Sequence, residues 1–172
     1  MSPATRVLFC CVSFAAGQDI TFDWFTTSGG DGGYTGNYGH DLIDDGNGGA
    51  IVAGQFAGTG TFAGTELTSV GSADGLIWHV TNDGTMDWVV YPIGTSGIDC
   101  HFIASDGVGG AFVSGMFYGE YTFGTFTLTD EDSSGNIYVL HITGAGAVEW
   151  AIKVQCDGSC NNKGLASDGA GG

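Results

Sequence analysis

Positive charge is scarce in this chain. Three Lys and Arg stand against 19 Asp and Glu, a formal net charge of −16 over 172 residues. A field of that sign repels phosphate backbones and anionic headgroups, so nucleic acid and anionic membrane surfaces are excluded as partners. Proline is scarce, with 2 residues, and no apolar run approaches the roughly 20 residues of a membrane-spanning helix. No membrane span is expected. Lys153 and Lys163 lack the Gly-x-x-x-x-Gly context of a phosphate loop. Abundance excludes as much as absence does, because 33 glycines at about 1 kcal/mol each in a helix interior leave little room for long helices. Apolar residues, at 42%, are enough to bury the core of one domain.

Residues 1–17 differ from the rest. Arg6 is the sole Lys or Arg before Lys153, Val7 to Ala16 is mostly apolar, and Ala15-Ala16-Gly17 supplies small residues before Gln18. This reads as a secretory signal peptide and predicts a secreted, extracellular protein beginning near Gln18. A buried first strand is the competing reading of the same run. Removal of the leader takes Cys10 and Cys11 and leaves Cys100, Cys156 and Cys160, an odd number. Cys156 and Cys160 flank an Asp-Gly turn, a spacing that allows a disulfide without requiring one. No second ligand pair accompanies them, so no zinc site is expected.

The rest of the chain repeats itself. Residues 45–62, beginning Asp45-Gly46-Asn47-Gly48-Gly49-Ala50, align with residues 106–123 at a shift of 61, with 11 identities in 18 positions. His79-Val80-Thr81…Gly84…Asp87-Trp88 aligns with His141-Ile142-Thr143…Gly146…Glu149-Trp150 at a shift of 62. Leu165-Ala166-Ser167-Asp168-Gly169 opens a third copy.

Each unit reads as strand and turn. In the first, Asp41–Asp44, Ala50–Phe56, Thr61–Leu67, Leu76–Thr81 and Met86–Tyr91 are β-rich segments, with Asn82-Asp83-Gly84 as a hairpin turn. The second repeats them as Ala111–Phe117, Tyr121–Leu128, Ile137–Thr143 and Ala147–Val154. Leu76, Trp78 and Val80 share one face of a strand while Ile77 and His79 share the other, and both faces are largely apolar. Such a sheet must be covered on both sides, as blades stacked around an axis are. Two units alone are expected to leave Ile77, Ile137 and Val139 without a neighbour, as apolar patches that associate.

The run Trp88…Asp106-Gly107-Val108-Gly109-Gly110-Ala111-Phe112-Val113-Ser114-Gly115…Phe123-Gly124…Trp150 resembles the SBBP-type β-propeller repeat. That family has a tryptophan strand, an Asp-x-x-Gly-x-hydrophobic-hydrophobic-x-Gly turn and strand, and a Phe-Gly segment. The resemblance implies an all-β fold of four-stranded antiparallel propeller blades, incomplete at about 2.5 repeats of 61–62 residues. In that division residues 18–40 hold the end strand of a preceding blade, including Phe22-Asp23-Trp24-Phe25, and a linker. Residues 41–100 and 101–162 are repeats 1 and 2, and 163–172 start repeat 3. The unit is longer than the family's usual one, and Asp74, before the third strand, falls on Gly135 in the second copy. The family carries no shared catalytic residues and implies a secreted or surface module, with further blades in the same polypeptide.

Nothing in the chain points to catalysis. The turns at Asp44-Asp45, Asp106 and Asp168 invite calcium, but the later copies offer one carboxylate each, too few for about six oxygen ligands. They read as hairpin turns. His79 and His141, and likewise His40 and His101, occupy matching places, which repeated packing explains without a metal or a nucleophile. Asp130-Glu131-Asp132 reads as a solvated loop beside Ser133-Ser134-Gly135. Trp88 and Trp150, at equal positions, are expected between blades and not on a sugar platform. The expected function is a binding or adhesion scaffold for a protein or carbohydrate, with no cofactor and no enzyme activity. An active site in blades outside this chain, or a purely structural repeat, are the alternatives.

Overall fold

The computed structural model describes residues 5–10, 25–30, 38–70, 73–131, 134–156, 158 and 160–169, and among them the chain is all-β. Among the described residues no helix is long and apolar enough to cross a membrane. β1 (Thr5–Cys10) and β2 (Phe25–Gly30) precede the first repeat. That repeat comprises β3 (Tyr38–Asp44), β4 (Ala50–Phe56), β5 (Thr59–Phe62), β6 (Thr65–Thr68), β7 (Asp74–Val80) and β8 (Met86–Val90). After the short β9 (Ile93–Gly94) come β10 (Phe102–Ser105), β11 (Ala111–Phe117), β12 (Glu120–Phe123), β13 (Phe126–Thr129), β14 (Asn136–Ile142) and β15 (Val148–Val154).

Both repeats build the same antiparallel sheet. The first has the order β3-β4-β7-β8 and the second β10-β11-β14-β15, each with a hairpin inserted between its second and third strands. Those hairpins extend elsewhere: β5-β6 joins β2 and β1, while β12-β13 joins β9. Thr5–Cys10, inside the expected leader, thus lies in a strand paired with β2. Residues 11–17 and Phe22–Trp24 lie outside the described residues.

Two sequence assignments need correction. Thr61–Leu67 and Tyr121–Leu128, read as single segments, are each part of a hairpin with a two-residue loop. In the first, Ala63 and Gly64 have φ of +47° and +75°, the sign pattern of a type I′ turn. Ala-Gly and Gly-Thr are weaker hairpin signals than Asn-Gly, so pattern alone ran the paired strands together. Asp74 faces Phe56 across β4-β7, and it is Asn136 that faces Phe117 in the second sheet. Asn136, not Gly135, is therefore the counterpart of Asp74.

The sheets stack head to tail. The face of the first sheet bearing Ile51, Ala53 and Ile77 packs on the face of the second bearing Ile103, Val113, Leu140 and Ile142 in one continuous core. The expectation fails for Ile77, which is fully buried there because the second sheet covers it. The opposite face of the first sheet, with Val52, Leu76, Trp78 and Val80, forms a separate cluster with Phe56 and Phe62. β3 and β10, the first strands of the two sheets, lie beside each other, and the Ile103 amide donates to Asp41 Oδ2 at 3.2 Å. On the outer face of the second sheet Ile137, Val139 and Trp150 are half-buried and Ile152 is 52% exposed. Asn162 reaches that face, its Nδ2 donating to Ser114 Oγ at 2.8 Å.

Candidate functional site

The side chains that repeat are also the ones that meet. In the turn between β3 and β4, Asp45 Oδ1 accepts the amides of Asn47 and Gly49 at 2.7 and 2.8 Å. Asp106 Oδ1 accepts those of Val108 and Gly110, both at 2.8 Å, in the equivalent turn. The second glycine of each Gly-Gly pair lies so near the backbone oxygen of Val80 or Ile142 that a Cβ has no room. These turns close as carboxylate-capped hairpins, with one carboxylate oxygen of each aspartate committed to the backbone.

The other oxygen of each turn aspartate meets a histidine from the third strand. His79 Nε2 lies 3.0 Å from Asp45 Oδ2 and its Nδ1 lies 2.6 Å from Asp87 Oδ1. His141 repeats this with Asp106 Oδ2 and Glu149 Oε2, both at 3.0 Å. Asp87 and Glu149 are the extra residues of β-bulges, since His79 pairs with Trp88 and Val80 with Met86, while His141 pairs with Trp150 and Ile142 with Val148. A bulge re-aims one side chain out of the alternation. Here it turns an acid onto the histidine in both copies. Beside each acid, the tryptophan stacks on the same imidazole, with ring centroids 5.4 Å apart for His79 and Trp88 and 5.9 Å for His141 and Trp150.

Burial alone raises the carboxyls of Asp45 and Asp106, but the turn amides and the histidine outweigh it and hold both below the usual carboxylate range. Both nitrogens of both rings are engaged, which leaves no lone pair for a metal or a substrate. These networks therefore brace turn, third strand and fourth strand. Trp88 extends the brace to the next repeat: its Nε1 donates to the Gly144 carbonyl at 3.1 Å, and its ring lies where a Cβ on Gly146 would have to sit.

Between the two turns a cleft of about 410 Å³ is lined by Ile43, Asp44, Asp45 and Gly46 on one side and Ser105, Gly107 and Gly109 on the other. Its polar side chains are largely occupied, with Asp44 Oδ1 accepting the Gly46 amide at 2.6 Å and Ser105 Oγ the Gly107 amide at 3.1 Å.

His40 and His101 come together further along the same pair of first strands, with ring centroids 4.5 Å apart. Cys156 and Cys160 are bonded to each other, their Cα atoms 5.9 Å apart. The Cys100 thiol is fully buried, takes the Tyr138 hydroxyl at 3.0 Å, and is pushed up to about 12 by burial. The solvated-loop reading fails for Asp130, which is 4% exposed and accepts Asn136 Nδ2 at 2.7 Å and the Gly135 amide at 3.1 Å. Its neighbour Glu131 is exposed and pairs with Lys153 at 2.7 Å. Asp87 and Glu149 were missed as histidine partners. The available signal was their common shift of 62, the same as that of the histidines they face.

No protein-family model, no curated protein and no solved structure matches this chain.

Proposed function

We propose that the chain is an exported β-propeller module of the SBBP type, a rigid scaffold whose inter-strand loops present a rim to a protein or carbohydrate. The observation that carries this reading is the head-to-tail stacking of two sheets of one topology with their first strands side by side. A heterologous interface of this kind uses different faces on its two sides, and continued it either closes a ring or runs on as a filament. The outer face of the second sheet repeats the receiving face of the first: Trp150 stands for Trp88, His141 for His79, Val139 for Ile77. Trp150 Nε1 has no acceptor among the described residues, whereas Trp88 has Gly144. A further repeat of the same polypeptide fits that vacancy. Both histidine networks are saturated, which favours a scaffold over a catalytic centre built on them.

The test is a chain in which residues 101–162 are duplicated after residue 162. It should melt higher than the parent and shield Trp150 from a collisional quencher. An unchanged melt with Trp150 as accessible as before would defeat the propeller reading. A glycan and protein array probed with the extended chain then separates a binding scaffold from a purely structural repeat.

A further inference from the structure

His40 and His101 do what His79 and His141 do not: each leaves part of its ring uncommitted. Asp41 pairs with Ala53 and Gly39 with Gly54, so His40 is the extra residue of a β-bulge in β3. Its side chain is turned out of the strand's alternation and against His101, which stands just before β10. His101 is anchored from behind. His101 Nδ1 lies 3.0 Å from Asp99 Oδ1, and that carboxylate is itself fixed by the Met116 amide at 2.7 Å. Because a carboxylate accepts and does not donate, the Nδ1 proton belongs to this contact, so in the neutral ring it is Nε2 that carries the lone pair. An imidazole held by a carboxylate on one nitrogen and open on the other is how proteins orient a metal-ligating histidine.

We propose that His40 and His101 form a two-imidazole site for a borderline transition-metal ion of the zinc and copper class, with water completing the coordination. The rings come from β3 of one repeat and from the residue preceding β10 of the next, so the ion clips the two sheets together where β3 meets β10. The net charge of −16 raises the local concentration of cations of every kind, while imidazole selects nitrogen-seeking ions over calcium and magnesium. In the third copy the matching position is Lys163, which supplies no ligand at neutral pH, so the site is confined to the junction of repeats 1 and 2.

The full chain is titrated with Zn²⁺ by calorimetry, and with Cu²⁺ followed by electron paramagnetic resonance. One ion per chain is expected, with Cu²⁺ bound more tightly than Zn²⁺ and two nitrogen ligands in the Cu²⁺ spectrum. His40→Ala and His101→Ala should each weaken binding at least tenfold, and a hundredfold excess of Ca²⁺ should leave it unchanged. His40→Gln and His101→Gln are made in parallel and checked by circular dichroism, so that lost binding is scored on folded protein. Unchanged affinity in either folded single variant, displacement by Ca²⁺, or no saturable binding by the parent would overturn the site.

Discussion

The two repeats share topology, bulges and histidine networks, yet the same positions meet different surroundings. Ile77 is fully buried against the second sheet, while its counterpart Val139 lies half-buried on an outer face. Val90 packs against the inter-sheet core, while its counterpart Ile152 is 52% exposed. The difference lies in the neighbour and not in the residue. In a stacked repeat, stability is a sum of unit and nearest-neighbour terms, and the two sheets here display one interface filled and one open. The internal brace belongs to the unit; the receiving face depends on what stacks upon it.

Tryptophan is where that comparison breaks most sharply. Trp88→Ala removes an indole wedged against Gly146 together with its bond to Gly144, and should cost about 3 kcal/mol, as large-to-small changes in packed sites do. Trp150→Ala, at the open face, should cost less than half as much. Chemical denaturation of the two variants measures the ratio, and equal losses would mean that the neighbour contributes nothing. A sugar-binding role for Trp88 predicts the reverse profile, with an unchanged melt and lost carbohydrate binding.

The braces should respond alike in both repeats. Asp45→Ala and Asp106→Ala each remove two charge-assisted bonds to turn amides and the histidine contact, a loss of about 2 kcal/mol by the usual worth of such bonds. Because the folded protein lowers both carboxyls, they add stability above the ordinary carboxylate range, and that stability is lost as pH falls through their lowered folded values. The parent should therefore weaken in strong acid, and the double variant should show a flatter acid limb. A cost confined to one of the two aspartates would show that the braces are not equivalent.

How much of this was legible follows from what repeats in the sequence. The shift of 61–62 placed the turns, the sheet strands and the two faces of β7, because period-2 alternation and Asp-Gly turns are local signals. The hairpins at Ala63 and Gly124 were not read, since a two-residue loop without Asn-Gly leaves no gap between its strands. Asp87 and Glu149 escaped because a bulge breaks the alternation from which facing is inferred. Asp130 looked solvated from composition, yet it caps the Gly135 amide and Asn136, a contact set by the return of a hairpin onto β14. The meeting of His40 with His101 depends on how two sheets stack, and pattern within one unit carries no trace of that.

Asp74 offers a finer test, since the second repeat places asparagine at this point. Its Oδ2 takes the Val70 amide at 2.7 Å and lies 2.9 Å from the Tyr91 hydroxyl, but its Oδ1 is buried and has no partner among the described residues. A buried carboxylate with one unpaired oxygen is costly. Asp74→Asn keeps an acceptor for Val70 and removes the charge, so it should stabilise the chain by about 1 kcal/mol near neutral pH. A destabilised variant would show that the Tyr91 contact requires the full charge.

The smallest expected effect comes from the hairpin loops. Ala63 sits at φ +47° in the β5-β6 loop, whereas Gly124 takes the equivalent place at φ +60° in β12-β13. A left-handed backbone costs a residue with a Cβ about 1–2 kcal/mol, and glycine avoids this while losing roughly 0.5–1 kcal/mol more conformational entropy on folding. The first term exceeds the second, so Ala63→Gly should stabilise by about 0.5 kcal/mol, a rise of roughly 1–2 °C in Tm for a chain of this size. The reverse change, Gly124→Ala, should lower Tm by a similar or larger step, because Gly124 also lies close to Val148. Paired melts of the two variants decide the matter. Shifts of the same sign would mean that the two loops do not share the strain that their φ values assign to them.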